Sequence, residues 1–260
     1  MSFFDAGALP DGNTAVISQL LGGHRTTDQG KTWTQMIGGI GSSQSVEAFG
    51  DSSFGMAGKA GGKNGVAVST NKGQSWTMYD ASPGLNDTNH EHARYAAYPS
   101  SSTWYVSAGA WDSREDRLVG KRLCSNDKNG KSRGVVESLL TDRLATCSEG
   151  GVEMLEPLET TNGDSSGNGY VAAIAKTTDG GKTFTNVFRD AGRFYMNGIH
   201  CASENHCIAV AEGHNVPQPG TYTVVTKDGG KTWNVTQIGQ GADTLMAGML
   251  SNVACVVYSC

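Results

Sequence analysis

Charge is scarce in this chain, and long apolar runs are missing. Charged residues make up 17% of the 260 residues, and the formal net charge is −5. No stretch approaches the roughly 18 consecutive apolar residues of a membrane helix. No Lys/Arg run offsets the acidic balance, which argues against a nucleic-acid partner and against an anionic membrane surface. None of the six cysteines stands in CxxC spacing, so no zinc site is expected. The sequence holds no Gly-x-Ser-x-Gly element, P-loop or dinucleotide fingerprint, and no cofactor is expected. Its opening, MSFFDAGALPDG, lacks the apolar core of a signal peptide. Two acceptor sequons, Asn86-Asp87-Thr88 and Asn234-Val235-Thr236, nevertheless fit a secreted protein. Cys201 and Cys207, at either end of an expected hairpin turn, are within reach of a disulfide and point the same way. A secreted or extracellular chain, given in mature or fragmentary form, is the reading that joins these features. The alternative is an intracellular protein with free thiols.

What is abundant is glycine, 36 residues, and much of it falls in a repeated phrase. TTDQGKTW at 26–33, STNKGQSW at 69–76, TTDGGKTF at 177–184 and TKDGGKTW at 226–233 share the pattern Ser/Thr-x-Asp/Asn-x-Gly-x-Ser/Thr-aromatic. Asp28, Asn71, Asp179 and Asp228 are placed to accept bonds from the turn's own N–H groups, as Asx turns do. Gly30, Gly73, Gly181 and Gly230 supply left-handed backbone. Trp33, Trp76, Phe184 and Trp233 restart a strand with a large ring and are expected to be buried. The Asx positions lie 43, 108 and 49 residues apart. The long gap implies a decayed copy, and Ser125-Asn126-Asp127-Lys128-Asn129-Gly130-Lys131-Ser132 lies at its middle. With Asp127 included the intervals become 43, 56, 52 and 49 residues. That is the length of a four-stranded propeller blade.

The phrase resembles the Asp-box (BNR) repeat of sialidase-type β-propellers, sortilin-like receptors and photosystem II assembly factors, over roughly residues 14 to 240. The resemblance implies an all-β propeller of four-stranded antiparallel blades, five recognisable and a sixth partial. It would be a single domain over residues 1–260, incomplete at the C-terminus. It also implies that the boxes lie at the outer rim, away from the ligand face, so that their Asp, Thr and aromatic residues are structural. Sialidases use three arginines for the substrate carboxylate, the first in an Arg-Ile-Pro-like strand before the first box, with a Tyr/Glu pair and an acidic donor. Here the only arginine before the first box is Arg25, which adjoins it. The assembly-factor branch implies a basic patch that this acidic chain does not offer.

If each box joins the third and fourth strands of a blade, the rest follows from alternation and turn residues. The fifth blade reads Tyr195 to Cys201, Cys207 to Glu212, Gly220 to Thr226 and Trp233 to Ile238. Other second strands are expected near Ala15 to Leu20, Gly55 to Gly58, Trp104 to Gly109 and Val152 to Leu158. Thr244 to Leu250 and Ala254 to Tyr258 read as two strands of a sixth blade. Phe3 to Ala8 already serves as a first strand, so that blade stays open and calls for partner strands. Turns between first and second strands are short and fall on the box side. Long connections, such as Tyr79 to Arg94, Trp111 to Gly120 and Arg189 to Arg193, fall on the other, where loops carry binding on a rigid scaffold.

The most varied loop is Trp111-Asp112-Ser113-Arg114-Glu115-Asp116-Arg117. Its carboxylates suit a general acid and base and its Trp a sugar platform, but it reads first as a solvated loop of compensating charges. Adjacent carboxylates do not establish the roughly 5 to 9 Å separation that glycoside hydrolysis needs. His90-Glu91-His92 shows no third ligand and reads as a polar loop, so no metal site is expected. The candidate ligand contacts are Trp111, Asp112, Arg114, Asp116, Arg94, Arg193 and His214. The function expected is a non-enzymatic binding or scaffold propeller that engages a protein or glycan by its long-loop face. The alternatives are a sialidase-like glycan hydrolase, with carboxylates from Asp112, Glu115, Asp116 or Asp190, and a photosystem-type assembly factor.

Overall fold

The computed structural model describes residues 3–19, 22–36, 41–60, 63–85, 92–110, 123–126, 132–135, 171–213 and 219–240. The chain divides into two compact units, one formed by Met1–Trp111 with Ser166–Cys260 and the other by Asp112–Ser165. In the first unit four antiparallel four-stranded sheets follow one another, the architecture of a β-propeller. The first holds β1 (Phe3–Ala8), β2 (Ala15–Gln19), β3 (Gly22–Thr26) and β4 (Thr34–Gln35). The second holds β5 (Gly41–Phe49), β6 (Ser53–Ala60), β7 (Lys63–Ser69) and β8 (Thr77–Asp80), followed by the one-turn helix α1 (Ser82–Leu85). The second unit contributes the hairpin of β11 (Leu123–Asn126) and β12 (Ser132–Val135). In the third sheet β9 (His92–Ala97) and β10 (Trp104–Ala110) join β13 (Val171–Thr177) and β14 (Thr185–Ala191). The fourth is β15 (Tyr195–Cys201), β16 (Cys207–Gly213), β17 (Gly220–Thr226) and β18 (Asn234–Gln240).

One pairing departs from the sequence reading. Trp104 to Gly109 was expected to be the second strand of a blade ending at the decayed repeat, and Val152 to Leu158 the second strand of the next. Instead β10 pairs along its whole length with β13, from Trp104↔Thr177 to Ala110↔Val171. The third sheet therefore carries residues 111–170 between its second and third strands. Alanine at 108, 172, 173 and 175 lets these two central strands bury both faces without crowding. The decayed repeat spans the β11–β12 hairpin, and Asp127 lies outside the described residues, as do Val152–Leu158, Thr244–Leu250 and Ala254–Tyr258.

Strand alternation gives each sheet a leading face toward the preceding sheet and a trailing face toward the next. Val16 on the trailing face of the first sheet packs with Phe54, Met56 and Val46 of the second. Ala57 and Val68 of the second meet Trp104, Val106 and Phe184 of the third. Tyr105 and Ile174 of the third meet Cys207, Ala209 and Val224 of the fourth. Ring contacts reinforce the joints, as where Tyr98 stacks on Phe49 with centroids 4.9 Å apart. Gly55 exists for that contact, since a Cβ there would sit 2.0 Å from the Tyr98 ring.

Candidate functional site

All four repeat turns close in the same way. In the first, the Thr26 hydroxyl donates to Asp28 Oδ1 at 2.8 Å and accepts the Gly30 N–H at 2.9 Å. Asp28 Oδ1 also accepts the Thr32 N–H at 2.9 Å, and Oδ2 accepts the Thr32 hydroxyl at 2.6 Å. Asp179 and Asp228 bind Thr183 and Thr232 through the same atoms. Asn71 keeps the Oδ1 half, but its Nδ2 donates to the Ser75 hydroxyl at 2.8 Å, reversing one bond. The hydroxyls of Thr32, Thr183 and Thr232 are the leading cause that holds Asp28, Asp179 and Asp228 near pKa 2 instead of 3.8.

The glycines at the fifth position have the expected positive φ, for example 81° at Gly30 and 87° at Gly181. The residue before them is left-handed too, at Gln29 (62°) and Lys72 (59°) as well as at Gly180 and Gly229, which the sequence pattern did not reveal. Its N–H reaches the first hairpin turn of the same sheet: Gln29 to Asn13 O, Lys72 to Ser52 O, Gly180 to Ser102 O and Gly229 to Asn205 O. Short turns and repeat turns thus share one end of the sheets. At two joints a cation just before the repeat reaches the next repeat's backbone. Arg25 Nε donates to Lys72 O, and Lys176 Nζ to Gly229 O at 2.8 Å while lying over the Tyr105 ring.

The aromatic position needs a correction. Phe184 is buried and Trp76 and Trp233 are half-buried, but Trp33 is 40% exposed. Trp76, Phe184 and Trp233 pack in clusters that include residues of the preceding sheet, whereas Trp33, in the first sheet, holds to its own turn through Nε1 to Gly30 O at 3.1 Å. Cys201 and Cys207 form the expected disulfide, cross-strand partners in the β15–β16 ladder.

The opposite end gathers polar side chains from several sheets. Arg94, on β9, donates from Nε to Gln44 Oε1 at 2.7 Å and lies 5.4 Å over the Tyr195 ring. The Tyr195 hydroxyl donates to Glu212 Oε1, and Glu212 is almost wholly buried. Arg193 Nε and Nη2 both donate to Asp190 Oδ2, and the guanidinium lies 5.3 Å over Phe194. Asp190 stands in β14, not in a loop, and its Oδ1 is buried without a hydrogen-bond partner. Deeper on the first strands, burial raises Glu47 to about pKa 7 against a backbone bond from Tyr98, with Asp5 nearby pushing the same way. Asp5 is itself raised by burial, though its Oδ2 accepts the Val46 N–H at 3.0 Å. Burial and the charges of Asp5 and Glu212 raise the Tyr95 phenol, and Arg94 opposes them.

Of the candidate contacts, Arg94 and Arg193 therefore stand at this end. Tyr79, expected to open a long connection, stands instead in β8 and packs edge-on against Trp104 with centroids 5.2 Å apart. Trp111, Asp112, Arg114, Asp116 and His214 lie outside the described residues, as do His90 and Glu91. Gln44, Glu47, Tyr195 and Glu212 were missed by the sequence reading, because strand periodicity marks them only as inner-strand positions. Among the described residues no group of three or more His, Cys, Asp or Glu is placed to hold a metal. No described helix is long and apolar enough to cross a membrane.

No family model matches the chain, and no curated protein matches its sequence. Solved structures do resemble it. The GH74 xyloglucanase from Xanthomonas campestris is 13% identical, with TM-score 0.50, over 96% of this chain and 33% of its own. The WD40 repeats of RRP9 are 7% identical, with TM-score 0.52, over 98% and 57%. Ycf48 bound to a D1 peptide is 13% identical over 93% and 68%, at TM-score 0.32. The chain thus spans about a third of the xyloglucanase it resembles. These likenesses are of fold, and together with the four antiparallel sheets they make the described architecture a β-propeller.

Proposed function

We propose that this chain is a non-enzymatic binding or scaffold propeller that recognises a protein or glycan at the end opposite its repeat turns. The turns themselves we assign to the Asp-box type, and the disulfide and sequons support a secreted location. The observation that carries the reading is the division of labour between the two ends. At one end the Asp28, Asp179 and Asp228 carboxylates are engaged by their own turns, and each turn is tied to a neighbouring hairpin. At the other the chain leaves β10 at Ala110 and returns at Val171, and Arg94 is held over Tyr195 with its terminal nitrogens unbonded among the described residues. A preorganised guanidinium on an aromatic ring is a frequent anchor of binding energy.

A glycan array and a pull-down identify the ligand, and paired substitutions then locate it. Arg94→Ala and Trp111→Ala are expected to lower affinity at least about tenfold, the ~1.4 kcal/mol or more that a binding anchor contributes. Lys182→Ala and Lys231→Ala, at the repeat-turn end, are expected to leave it unchanged. The converse pattern overturns the assignment. A second reading, a glycan hydrolase, is favoured by Glu47, a carboxylic acid raised to about 7 and so suited to proton donation near neutral pH. Turnover in a glycosidase screen, lost in Glu47→Gln, would select it.

A further inference from the structure

The outer strands of the four sheets begin alike, and the fourth then departs. The residue that follows the repeat's aromatic is exposed in every sheet: Thr34, Thr77, Thr185 and Asn234. Two residues further on, Met36, Tyr79 and Val187 are half-buried against the core clusters, whereas Thr236 is exposed. Side chains two apart on a strand lie on one side of it. An amide and a hydroxyl therefore stand together at the water-facing side of β18, and Asn234 Nδ2 donates to Thr236 Oγ1 at 3.2 Å. Val235, between them, turns the other way and packs against the core of the fourth sheet. Asn186, the second residue of β14, is by contrast committed to the fold, its Nδ2 donating to Gly84 O at 3.0 Å.

We propose that Asn234 is the acceptor of an N-linked glycan, a modification that rests on the secreted location proposed above. Asn234-Val235-Thr236 has the asparagine, the non-proline middle residue and the hydroxyl that such an acceptor needs. The three letters alone would not select it, because an asparagine buried in a folded chain has no room for a bulky, hydrated glycan. Here both polar groups face water, and the residue that anchors them is the apolar one between. The donor is an oligosaccharide carried on a lipid diphosphate. Asn234 Nδ2 bonds to the anomeric carbon of the first sugar as the bond from that carbon to the diphosphate oxygen breaks. The amide gives up one proton, and the lipid diphosphate leaves. Asn234 directly follows Trp233, so the glycan departs from the repeat-turn end of β18. The opposite end, where Arg94 lies over Tyr195, stays open to a ligand.

Expression of the full chain behind an added signal peptide in eukaryotic cells tests it, since export is then imposed and the acceptor is judged apart from the native location. Enzymatic release of N-glycans in heavy-oxygen water converts a modified asparagine to labelled aspartate, which peptide mass spectrometry reads in medium and cell lysate. The label is expected at position 234 of the exported protein, lost in Thr236→Ala and kept in Thr236→Ser. Both variants are expected to retain the wild-type β circular dichroism spectrum, because the side chain at 236 is exposed. A label that persists in Thr236→Ala overturns the proposal, since it then marks deamidation without a glycan. Absence of label from the exported protein overturns it too, whether Asn234 is unmodified throughout or the label is confined to the lysate, where it marks a glycan that the folded chain does not accommodate.

Discussion

The aspartates of the repeat turns act as hydrogen-bond hubs. Each carboxylate accepts two hydroxyls and a backbone N–H, which favour the charged form and depress its pKa to about 2. The sign of the linkage follows. A carboxylate whose folded pKa is depressed contributes stability that is fully present above the unfolded value, near 3.8, and is lost as pH falls through about 2. Asn71 fills the same role without titrating. Urea midpoints measured between pH 2 and pH 7 should therefore fall at the acid end in the wild type and fall less in the triple variant Asp28→Asn, Asp179→Asn, Asp228→Asn. An identical acid decline in both proteins would remove the turns as its cause.

At the scale of the element, the same eight-residue phrase gives four different environments for its aromatic. The phrase was legible because turn closure is local: every bond it needs lies within about five residues. The burial of the ring was not, because it depends on which sheet lies in front. Phe184, closed in by the second sheet, is expected to cost ~3–5 kcal/mol on truncation to Ala. Trp33→Ala, measured in dilute protein, is expected to cost under ~1 kcal/mol, since its ring is already open to water. Chemical denaturation of the two variants compares them, and equal costs would mean that the first sheet is covered in solution. The strands of the fourth sheet were legible almost to the residue from alternation, whereas the partner of β10 was not. Pairing across residues 111–170 is a long-range choice that spacing in the chain does not reveal.

For the whole molecule, the four sheets form one unit and residues 112–165 another. Ala110 and Val171 are the last paired residues of adjacent strands, so the third sheet does not need the inserted segment for its register. Replacing residues 112–165 by a short Gly/Ser link is expected to leave the β circular dichroism spectrum intact and the melting temperature within about 4 °C, a shift of about 1 kcal/mol or less. A shorter closed loop also costs less entropy. Collapse of the fold on excision would show that the segment is integral to the sheets. The sequence by itself determined the repeat, the turn chemistry, the disulfide pair and the propeller class, because each rests on contacts between residues near in the chain. The tertiary structure alone decided the union of β10 with β13 and the joining of Arg94 to Tyr195 and Gln44. It alone decided, too, which repeat leaves its tryptophan uncovered. Those depend on how separate sheets meet, and no interval in the chain encodes that distance.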